Sequence, residues 1–327
     1  MTTEYPQIAI IVPCYNEAES LPEFIRQTAA VCQSLPADFR IICIDDGSID
    51  GTYEIVQKCA DSHAEIKIQG IRFSRNFGKE IAISCGLHHS NTDAVIIMDA
   101  DLQDPPDLIP DMLEHWQAGH DSVIAIRDNR DSDGLIKRIT ASVFYSLMRK
   151  IADVEIPPQA GDFRLLSRRL VVALNDYPER SRFSKGLFAS LGYKQKLLYF
   201  KRTERISGKS SFSLWRLWNF ALDGITSFSS LPLRIWSYCG FLLAIMGLIY
   251  ASWIIIRTLI YGVDLPGYSS ILVSILFFAG IQLISIGILG EYIGRIFIEV
   301  KRRPMYLVDE SLGFSEENKP GQLPPTS

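Results

Sequence analysis

The sequence predicts an α/β protein whose sheet is mostly parallel and Rossmann-like, followed by long apolar helices. Two observations support this prediction. Short β-branched runs alternate with stretches of helical periodicity from Gln7 to Arg127, which is the pattern of βαβ units and a parallel sheet. After Arg234 the chain contains two long uncharged apolar stretches, and stretches of that length form membrane-spanning or deeply buried helices.

The predicted elements of the α/β region follow one another in a regular order. The strands are the runs QIAIIVP, RIICID, IKIQGIRF and AVIIMD, and helices are expected around Leu21 to Leu35, from Thr52 onward, and from Lys79 to His89. Ligands of open sheets of this type bind at the carboxyl ends of the strands. The residues directly after each apolar run are therefore the candidates for function.

The two uncharged stretches run from Ile235 to Ile256 and from Tyr268 to Gly290. We predict two transmembrane helices over about 235–257 and 268–292, because each stretch is long enough to cross a bilayer. Basic residues precede the first stretch and follow the second at 301–303, whereas the connector 261–269 has no Lys or Arg. The positive-inside rule therefore places both outer ends in the cytoplasm. The alternative is a buried helical hairpin in a soluble protein.

The chain is expected to divide into four parts. A cytoplasmic α/β domain covers 1–210, an interfacial amphipathic segment 211–233, the helical hairpin 234–300, and a polar, largely disordered tail 301–327. Trp and Phe residues in 211–230 favour an interfacial helix, with core packing as the alternative. A basic amphipathic helix is also expected from Leu135 to Lys150, either on a membrane surface or packed in the core.

Charge and cysteine usage exclude some classes of protein. The net charge is -4 and the isoelectric point is near 5.8, which argues against a general nucleic-acid binder. The six cysteines lie far apart, without a CxxC pair. Buried reduced thiols are therefore expected rather than disulfides or zinc ligands. The segment Met1 to Gln7 has no apolar core of a signal peptide, so we expect a cytosolic start.

Polar residues follow the first two predicted strands. The first ends in Pro13, Tyr15, Asn16 and Glu17, and the second in Asp45-Asp46-Gly47-Ser48. An Asp at a strand end accepts hydrogen bonds from a base or a ribose hydroxyl, and a glycine beside it permits a sharp turn. Each segment alone also fits ordinary turn and cap residues.

The segment DADLQDPP after the strand AVIIM gives the sharpest prediction. Alternation places Asp99 and Asp101 on one side, with Gln103 able to follow them. Two carboxylates and an amide oxygen make an oxygen-rich, partly open site for Mg²⁺ or Mn²⁺, whose remaining positions suit diphosphate oxygens. The alternative is a capped turn before a helix at Asp107, with the two prolines ending the strand.

Taken together, these segments resemble the family 2 glycosyltransferases with an A-type fold. Within that family the chain is similar to the dolichol-phosphate mannose synthases and bacterial polyprenyl-phosphate glycosyltransferases. The matching words are IVPCYNE, DDGSIDGT, FSRNFGKE, MDADLQDPP, AGDFRLLSRR, RSRFSKGLFASLGYK and RISGKSSFS, followed by the two-span region. They extend over nearly the whole chain up to Arg303.

The resemblance implies roles for particular residues. Pro13, Tyr15, Glu17 and Asp46 would bind the nucleotide, with Lys79 nearby. Asp99, Asp101 and Gln103 would hold the metal and the donor diphosphate. Asp162 matches a position that faces the active site, although an N-cap or an ion pair with Arg164 or Arg168 is the alternative for it.

Basic residues further along the chain are candidates for the acceptor phosphate. Arg205, Lys209 and Ser210 in RISGKSS carry donors around a glycine, and such groups grip phosphates. Arg127 after a strand and Arg182 are further cations, and Arg182 completes the expected catalytic set of Asp99, Asp101, Asp162 and Arg182. A solvated basic surface is the alternative for all of them.

The expected activity is an inverting transfer of one hexose to a polyprenyl phosphate at the cytoplasmic face of the plasma membrane. UDP-glucose or a related UDP-sugar is the expected donor, with GDP-mannose as the alternative. Processive synthases carry a Q-x-x-R-W word where this chain reads Glu179-Arg180-Ser181-Arg182-Phe183, so single transfer is preferred. Another membrane acceptor, or a non-catalytic adaptor that binds nucleotide sugar, are the alternatives. The oligomeric state stays open, with a homo-oligomer as one outcome.

Overall fold

The computed structural model describes residues 5–127, 160–177, 188, 191–200, 231–262, 267–301, 303–315 and 320. These residues fall into two compact units. One contains the described residues up to Phe200 together with those from Arg303 onward, and the other contains the residues between 231 and 301. The α/β unit is therefore built from two separate parts of the chain.

The α/β unit contains one sheet of eight strands in the order β7-β5-β6-β4-β1-β2-β3-β8. The strands are β1 (Gln7–Cys14), β2 (Asp38–Asp45), β3 (Lys67–Phe73), β4 (Ala94–Ile97), β5 (Ser122–Arg127), β6 (Ala160–Ser167), β7 (Gln195–Phe200) and β8 (Val308–Leu312). The described helices are α1 (Leu21–Gln33), α2 (Thr52–Ser62), α3 (Lys79–His89), a 3₁₀ turn (Pro106–Leu108), α4 (Ile109–Gln117), α5 (Arg168–Asn175), α6 (Leu231–Tyr261) and α7 (Tyr268–Lys301).

The sheet is mixed, with a parallel centre. Of the seven strand pairs in the described residues, β1–β2, β1–β4, β2–β3 and β5–β7 are parallel, and β3–β8, β4–β6 and β5–β6 are antiparallel. The predicted βαβ region supplies β1 to β4, and its strands and helices agree with the sequence-based expectation. The antiparallel pairs come from β6 and β8, which the sequence analysis had not identified as strands.

The apolar core lies on both faces of the central strands. Ile8 to Val12 of β1 are fully buried, as are the four residues of β4. Helix α3 packs closely on β1 at Gly86. A Cβ atom added at this position would lie only 2.4 Å from Cγ2 of Ile11, so the contact requires glycine. The five cysteines of this unit are buried and unpaired.

The C-terminal tail corrects one prediction. Disorder was expected over 301–327, yet Val308–Leu312 forms β8 and pairs antiparallel with β3, with Ser311 opposite Ile71. The expectation was wrong for this segment because it rested on polar composition. The edge of β3 offers backbone hydrogen-bonding groups that need partners, and a polar strand satisfies them while its outer side faces water.

The second unit consists of helices α6 and α7, of 31 and 34 residues. They coincide with the two predicted spans. Among the described residues, one segment, Phe277–Lys301 of α7, meets a length and composition criterion for crossing a membrane. Apolar side chains such as Ile249, Leu259 and Leu283 are 65%, 81% and 69% exposed. Exposed apolar surface of this extent marks an interaction site, and a second span through α6 stays a prediction.

Candidate active site

A cavity of about 270 Å³ opens at the carboxyl ends of β1, β2 and β4 beside the start of α3. This volume is near the lower end, ~300 Å³, of small-molecule sites. The cavity brings together seven predicted site residues: Pro13, Tyr15, Glu17, Asp46, Lys79, Asp99 and Asp101. Cys14, Asn76, Gly78, Ala82 and Ala100 complete the lining.

The segment after β1 is held against the segment after β2 by hydrogen bonds. The backbone N–H of Asn16 donates to Oγ of Ser48 at 2.9 Å, and the N–H of Glu17 donates to Oγ1 of Thr52 at 2.9 Å. The N–H of Ile49 donates in return to Oδ1 of Asn16 at 3.0 Å. Asn16 has a φ of 56°, a left-handed conformation that Asn tolerates. The segments after β1 and β2 therefore form one continuous wall of the cavity.

Asp46 fixes the loop between β3 and α3. Its Oδ1 and Oδ2 accept hydrogen bonds from the backbone N–H groups of Phe77 at 2.6 Å and Gly78 at 2.9 Å. Gly47 beside it has a φ of 69°, and a Cβ there would lie 2.5 Å from the carbonyl carbon of Arg75. Asp46 and Gly47 therefore hold this loop in place, and Asp46 also lines the cavity.

Lys79, the first residue of α3, bridges two acids from different strands. Its Nζ donates to Oδ2 of Asp99 at 2.8 Å and to Oδ2 of Asp162 at 2.6 Å. Burial opposes the charge on Lys79, but the attraction of Asp99 and Asp162 outweighs this and raises its pKa. Asp162 thus reaches the active site through Lys79.

Asp99 and Asp101 supply oxygen ligands of the kind a divalent cation prefers. Nζ of Lys79 lies 2.7 Å from Oδ1 of Asp99, but donates its well-directed bond to Oδ2. Among the described residues Oδ1 accepts no hydrogen bond of good geometry and is buried. Burial raises the pKa of Asp99, Lys79 lowers it, and the nearby charges of Asp162 and Asp101 raise it. The carboxylates of Asp99 and Asp101 both line the cavity, and a donor set of this kind fits a divalent cation.

Glu17 is a fourth acid in the lining of this cavity, besides Asp46, Asp99 and Asp101. Burial raises the pKa of its carboxyl, the hydrogen bond from Ser20 lowers it, and the charges of Asp101 and Asp99 raise it further. In the described part of the chain no group of three or more His, Cys, Asp or Glu side chains is arranged to hold a metal by itself. A cation at Asp99 and Asp101 would therefore need ligands from a bound molecule or water.

Gln103 is a predicted metal ligand that does not line the cavity, and Asp162 is also absent from the lining. Its side chain is 3% exposed, and its backbone N–H donates to Oδ1 of Asp101 at 3.1 Å. Leu102 between them has a φ of 59°, so the chain turns sharply after Asp101 and takes Gln103 away from the strand direction. A role for Gln103 as a metal ligand stays a prediction.

Arg164 is a residue that sequence reasoning left without a role of its own. It is 2% exposed, and burial lowers its pKa to about 10 against the attraction of Asp162 and Glu80. Its Nη2 donates to the carbonyl of Gly161 at 2.7 Å, and its guanidinium lies 4.3 Å from the ring centroid of Phe188. Arg164 is a buried cation two residues from Asp162, and its charge stabilises that carboxylate. The sequence feature that could have indicated this role is Asp162-Phe163-Arg164, which lies in β6.

Most candidates for the acceptor phosphate lie outside the described residues: Arg182, Arg205, Lys209 and Ser210. The backbone of Arg127 ends β5, opposite Phe200 of β7. The expected helices at 135–150 and 211–230 also fall outside the described ranges. These parts of the sequence analysis stay predictions.

The mixed α/β sheet with an acidic cavity at its carboxyl edge is the arrangement expected of an A-type glycosyltransferase fold. Comparison with protein families agrees with this class. The model of "Glycosyl transferase family 2" matches residues 9–174, more than half of the chain, and the model of "GtrB C-terminal hairpin" matches residues 231–296. The chain belongs to glycosyl transferase family 2.

Relatives are similar over almost their whole length. The chain is 47% identical over 305 residues to the "SfII prophage-derived bactoprenol glucosyl transferase" of Shigella flexneri, covering 93% of this chain and 98% of that one. It is 46% identical to the "Uncharacterized glycosyltransferase sll0501" of Synechocystis, covering 94% and 96%. It is 40% identical to the "Putative glycosyltransferase CsbB" of Bacillus subtilis, covering 93% and 92%.

Proposed function

We propose that this glycosyltransferase moves one hexose from a nucleoside diphosphate sugar, most simply UDP-glucose, to the phosphate of a polyprenyl phosphate, with inversion at the anomeric carbon. The observation that carries the proposal is the acidic cavity lined by Asp99 and Lys79, whose ammonium also binds Asp162. The 47% identity with a bactoprenol glucosyl transferase over 98% of its length supports a polyprenyl acceptor.

The donor would occupy the cavity between the wall after β1 and the loop before α3. Tyr15, 48% exposed at the rim, offers an aromatic face to a base. Glu17 and Asp46 offer acceptors, although Asp46 already accepts two backbone hydrogen bonds. Lys79 offers the ammonium that a diphosphate requires nearby.

A divalent cation, Mg²⁺ or Mn²⁺, would be held by Asp99 and Asp101. Bound there, it would stabilise the negative charge that grows on the leaving diphosphate. The acidic lining of the cavity, with Glu17 beside Asp99 and Asp101, supports this assignment. Nζ of Lys79 contacts the Asp99 and Asp162 carboxylates at 2.7 Å and 2.6 Å and would hold them in place.

The acceptor phosphate would be its own nucleophile. A phosphate monoester has a second pKa near ~6 and is largely dianionic at neutral pH, so no proton has to be removed from it. Its oxygen would bond to the anomeric carbon as the bond from that carbon to the diphosphate oxygen breaks. Asp162 would then orient Lys79 or a sugar hydroxyl rather than act as a base, and its hydrogen bond to Lys79 supports this role.

The helical hairpin would keep the enzyme at the cytoplasmic face of the membrane, where the lipid acceptor resides. Two spans, α6 and α7, with both outer ends in the cytoplasm are proposed on the charges at 301–303 and the uncharged connector. Anchoring in the same bilayer raises the effective concentration of the acceptor.

A single set of reactions tests the function. The purified full-length chain is given UDP-glucose or GDP-mannose, with Mg²⁺ or Mn²⁺, and either polyprenyl phosphate or free polyprenol. We expect transfer from UDP-glucose to the phosphate and none to polyprenol. Transfer only to another lipid, or no release of nucleotide with any acceptor, would contradict the proposal.

The mechanism is tested by pH profiles of the wild type and Asp162→Asn. We expect an acidic limb close to the phosphate pKa of the lipid, at ~6, and expect it to persist in the residual activity of the variant. Loss of this limb on mutation would identify Asp162 as a catalytic base instead.

A further inference from the structure

The residues after the second helix of the hairpin return to the α/β unit and close the edge of its sheet. We call residues 303–315 the C-terminal strap. Its strand β8 begins at Val308, a few residues after α7 ends at Lys301. The strap pairs with β3, and β3 leads directly into the loop that forms one wall of the cavity.

The near end of the strap contacts that loop at its root. The carbonyl of Leu307 accepts a hydrogen bond from the backbone N–H of Ser74 at 3.0 Å. The ring of Tyr306 stacks on Phe73, with centroids 4.9 Å apart and an interplanar angle of 18°. Phe73 in turn meets Phe77 edge-on at 5.7 Å. Three aromatic rings thus connect the strap to the middle of the loop.

The same loop shapes the donor side of the cavity. Asn76, Gly78 and Lys79 line it, and Lys79 carries the ammonium that bridges Asp99 and Asp162. Asp46 holds the loop from the β2 side through the N–H groups of Phe77 and Gly78. The loop is therefore held by two sets of contacts, one from Asp46 and one from the C-terminal strap.

The far end of the strap is anchored away from the cavity. Nε2 of Gln69 donates to the carbonyl of Gly313 at 2.7 Å, and the ring of Phe314 lies edge-on to His89 at 6.0 Å. The hydroxyl of Tyr306 lies 3.3 Å from Nε2 of His89. The contacts of Gly313 and Phe314 hold the far end of the strap without touching the loop, which provides an internal control.

We propose that Tyr306 is a positioning residue for the loop between β3 and α3, which lines the cavity proposed to bind the nucleotide. It holds Phe73 and Phe77, and through them the backbone that carries Asn76, Gly78 and Lys79. The segment that leaves the helical hairpin is thereby part of the active site's support. This inference rests on the proposed function in one respect, that the cavity receives a nucleoside diphosphate.

The test compares three variants of the full-length protein. Tyr306→Ala removes the stacked ring, Tyr306→Phe keeps it, and Phe314→Ala removes a ring from the far end of the same strap. Tyr306→Leu, which keeps most of the apolar volume, is measured alongside in case the Ala variant does not fold. Two quantities are measured: the affinity for UDP with Mn²⁺ by calorimetry, and the hydrogen exchange of a peptide covering residues 74–79.

We expect Tyr306→Ala to bind UDP about tenfold more weakly, as the loss of an aromatic stack and its packing implies, and to exchange faster in residues 74–79. Tyr306→Phe should behave as wild type in both measurements, and Phe314→Ala should keep wild-type affinity. Equal weakening by Phe314→Ala, or unchanged exchange in Tyr306→Ala and Tyr306→Leu, would overturn the inference. If the wild type does not bind UDP, the proposed donor site is wrong, and the exchange rates alone decide the role of Tyr306.

Discussion

Replacing Lys79 by Met should destabilise the α/β unit, and the loss should grow with pH. The substitution keeps an apolar side chain of similar length but removes the ammonium that lies 2.7 Å from Asp99 and 2.6 Å from Asp162. The carboxylates of Asp99 and Asp162 then lie near each other without the ammonium that both of them contact. Lys79→Arg keeps the charge and serves as the matched control.

The magnitude follows from how exposed the three groups are. The side chains of Lys79, Asp99 and Asp162 are 41%, 30% and 21% exposed. Removing one partner of a fully buried ion pair costs ~3–5 kcal/mol, and an exposed pair contributes only ~0–1 kcal/mol. Partial exposure puts this bridge between those limits, so we expect a loss of about 2 kcal/mol in the free energy of unfolding at pH 8.

The pH dependence follows from Asp99. Its pKa in the folded protein is already raised above the ordinary value of 3.8, and Lys79 is what lowers it. Without Lys79 the folded protein retains a proton on Asp99 at pH values where the unfolded chain has lost it. Stability of the variant therefore falls as pH rises above about 4 through the raised pKa. Lys79 itself stays charged to pH 8, because its pKa is raised.

The assay is chemical denaturation of the full-length chain in detergent at pH 5 and pH 8. Lys79→Met should lose about 2 kcal/mol at pH 8 and less than about 1 kcal/mol at pH 5. Lys58→Met, at an exposed lysine on α2, should stay within ~0.5 kcal/mol of wild type. A loss that is equal at the two pH values would refute the role assigned to the bridge.

Three further predictions address the metal, the loop and the topology. Asp101→Asn keeps size but removes a charge, and it should reduce transfer by ~10²-fold or more; near wild-type turnover in EDTA would exclude a metal. Gly47→Ala should cost about 2–4 kcal/mol, because a left-handed residue and a backbone clash both add to the loss. Gly192→Ala is the control, because Gly192 has a φ of 65° but no described atom within 4 Å of the added Cβ. It should cost only about 1 kcal/mol in the free energy of unfolding. Equal losses for the two variants would contradict the close contact between Gly47 and Arg75. Cysteine introduced at Ser269 should react with an impermeant thiol reagent from outside cells, and cysteine at the exposed Asp309 should not; the reverse pattern would invert the proposed orientation.

The parts of the site that are local in sequence could be predicted from it. Asp46, Asp99 and Asp101 each follow an apolar run that becomes a strand of the sheet, and parallel strands bring their carboxyl ends to one edge. The family words added Lys79 and Asp162 as residues near the nucleotide or the active site. Neither source indicated that these two side chains touch, because 83 residues separate them.

The turn after Asp101 shows a second limit of sequence reasoning. Alternation along a strand predicted that Gln103 would follow Asp101 on the same side. The strand ends at Ile97, and Leu102 adopts a positive φ, so the alternation no longer applies by that point. The position at which the chain leaves the strand conformation depends on packing around the turn. A run of polar residues in the sequence does not indicate that position.

The sequence by itself determined the alternating α/β core, the acidic strand ends that meet in the cavity, and the apolar helices, because hydrophobic periodicity and strand-end chemistry are local properties of a chain. Tertiary structure decided which distant groups complete these features. Lys79 joins Asp99 to Asp162, and the polar tail returns as β8 to cover the edge of β3. Both depend on contacts between groups that lie far apart in the chain.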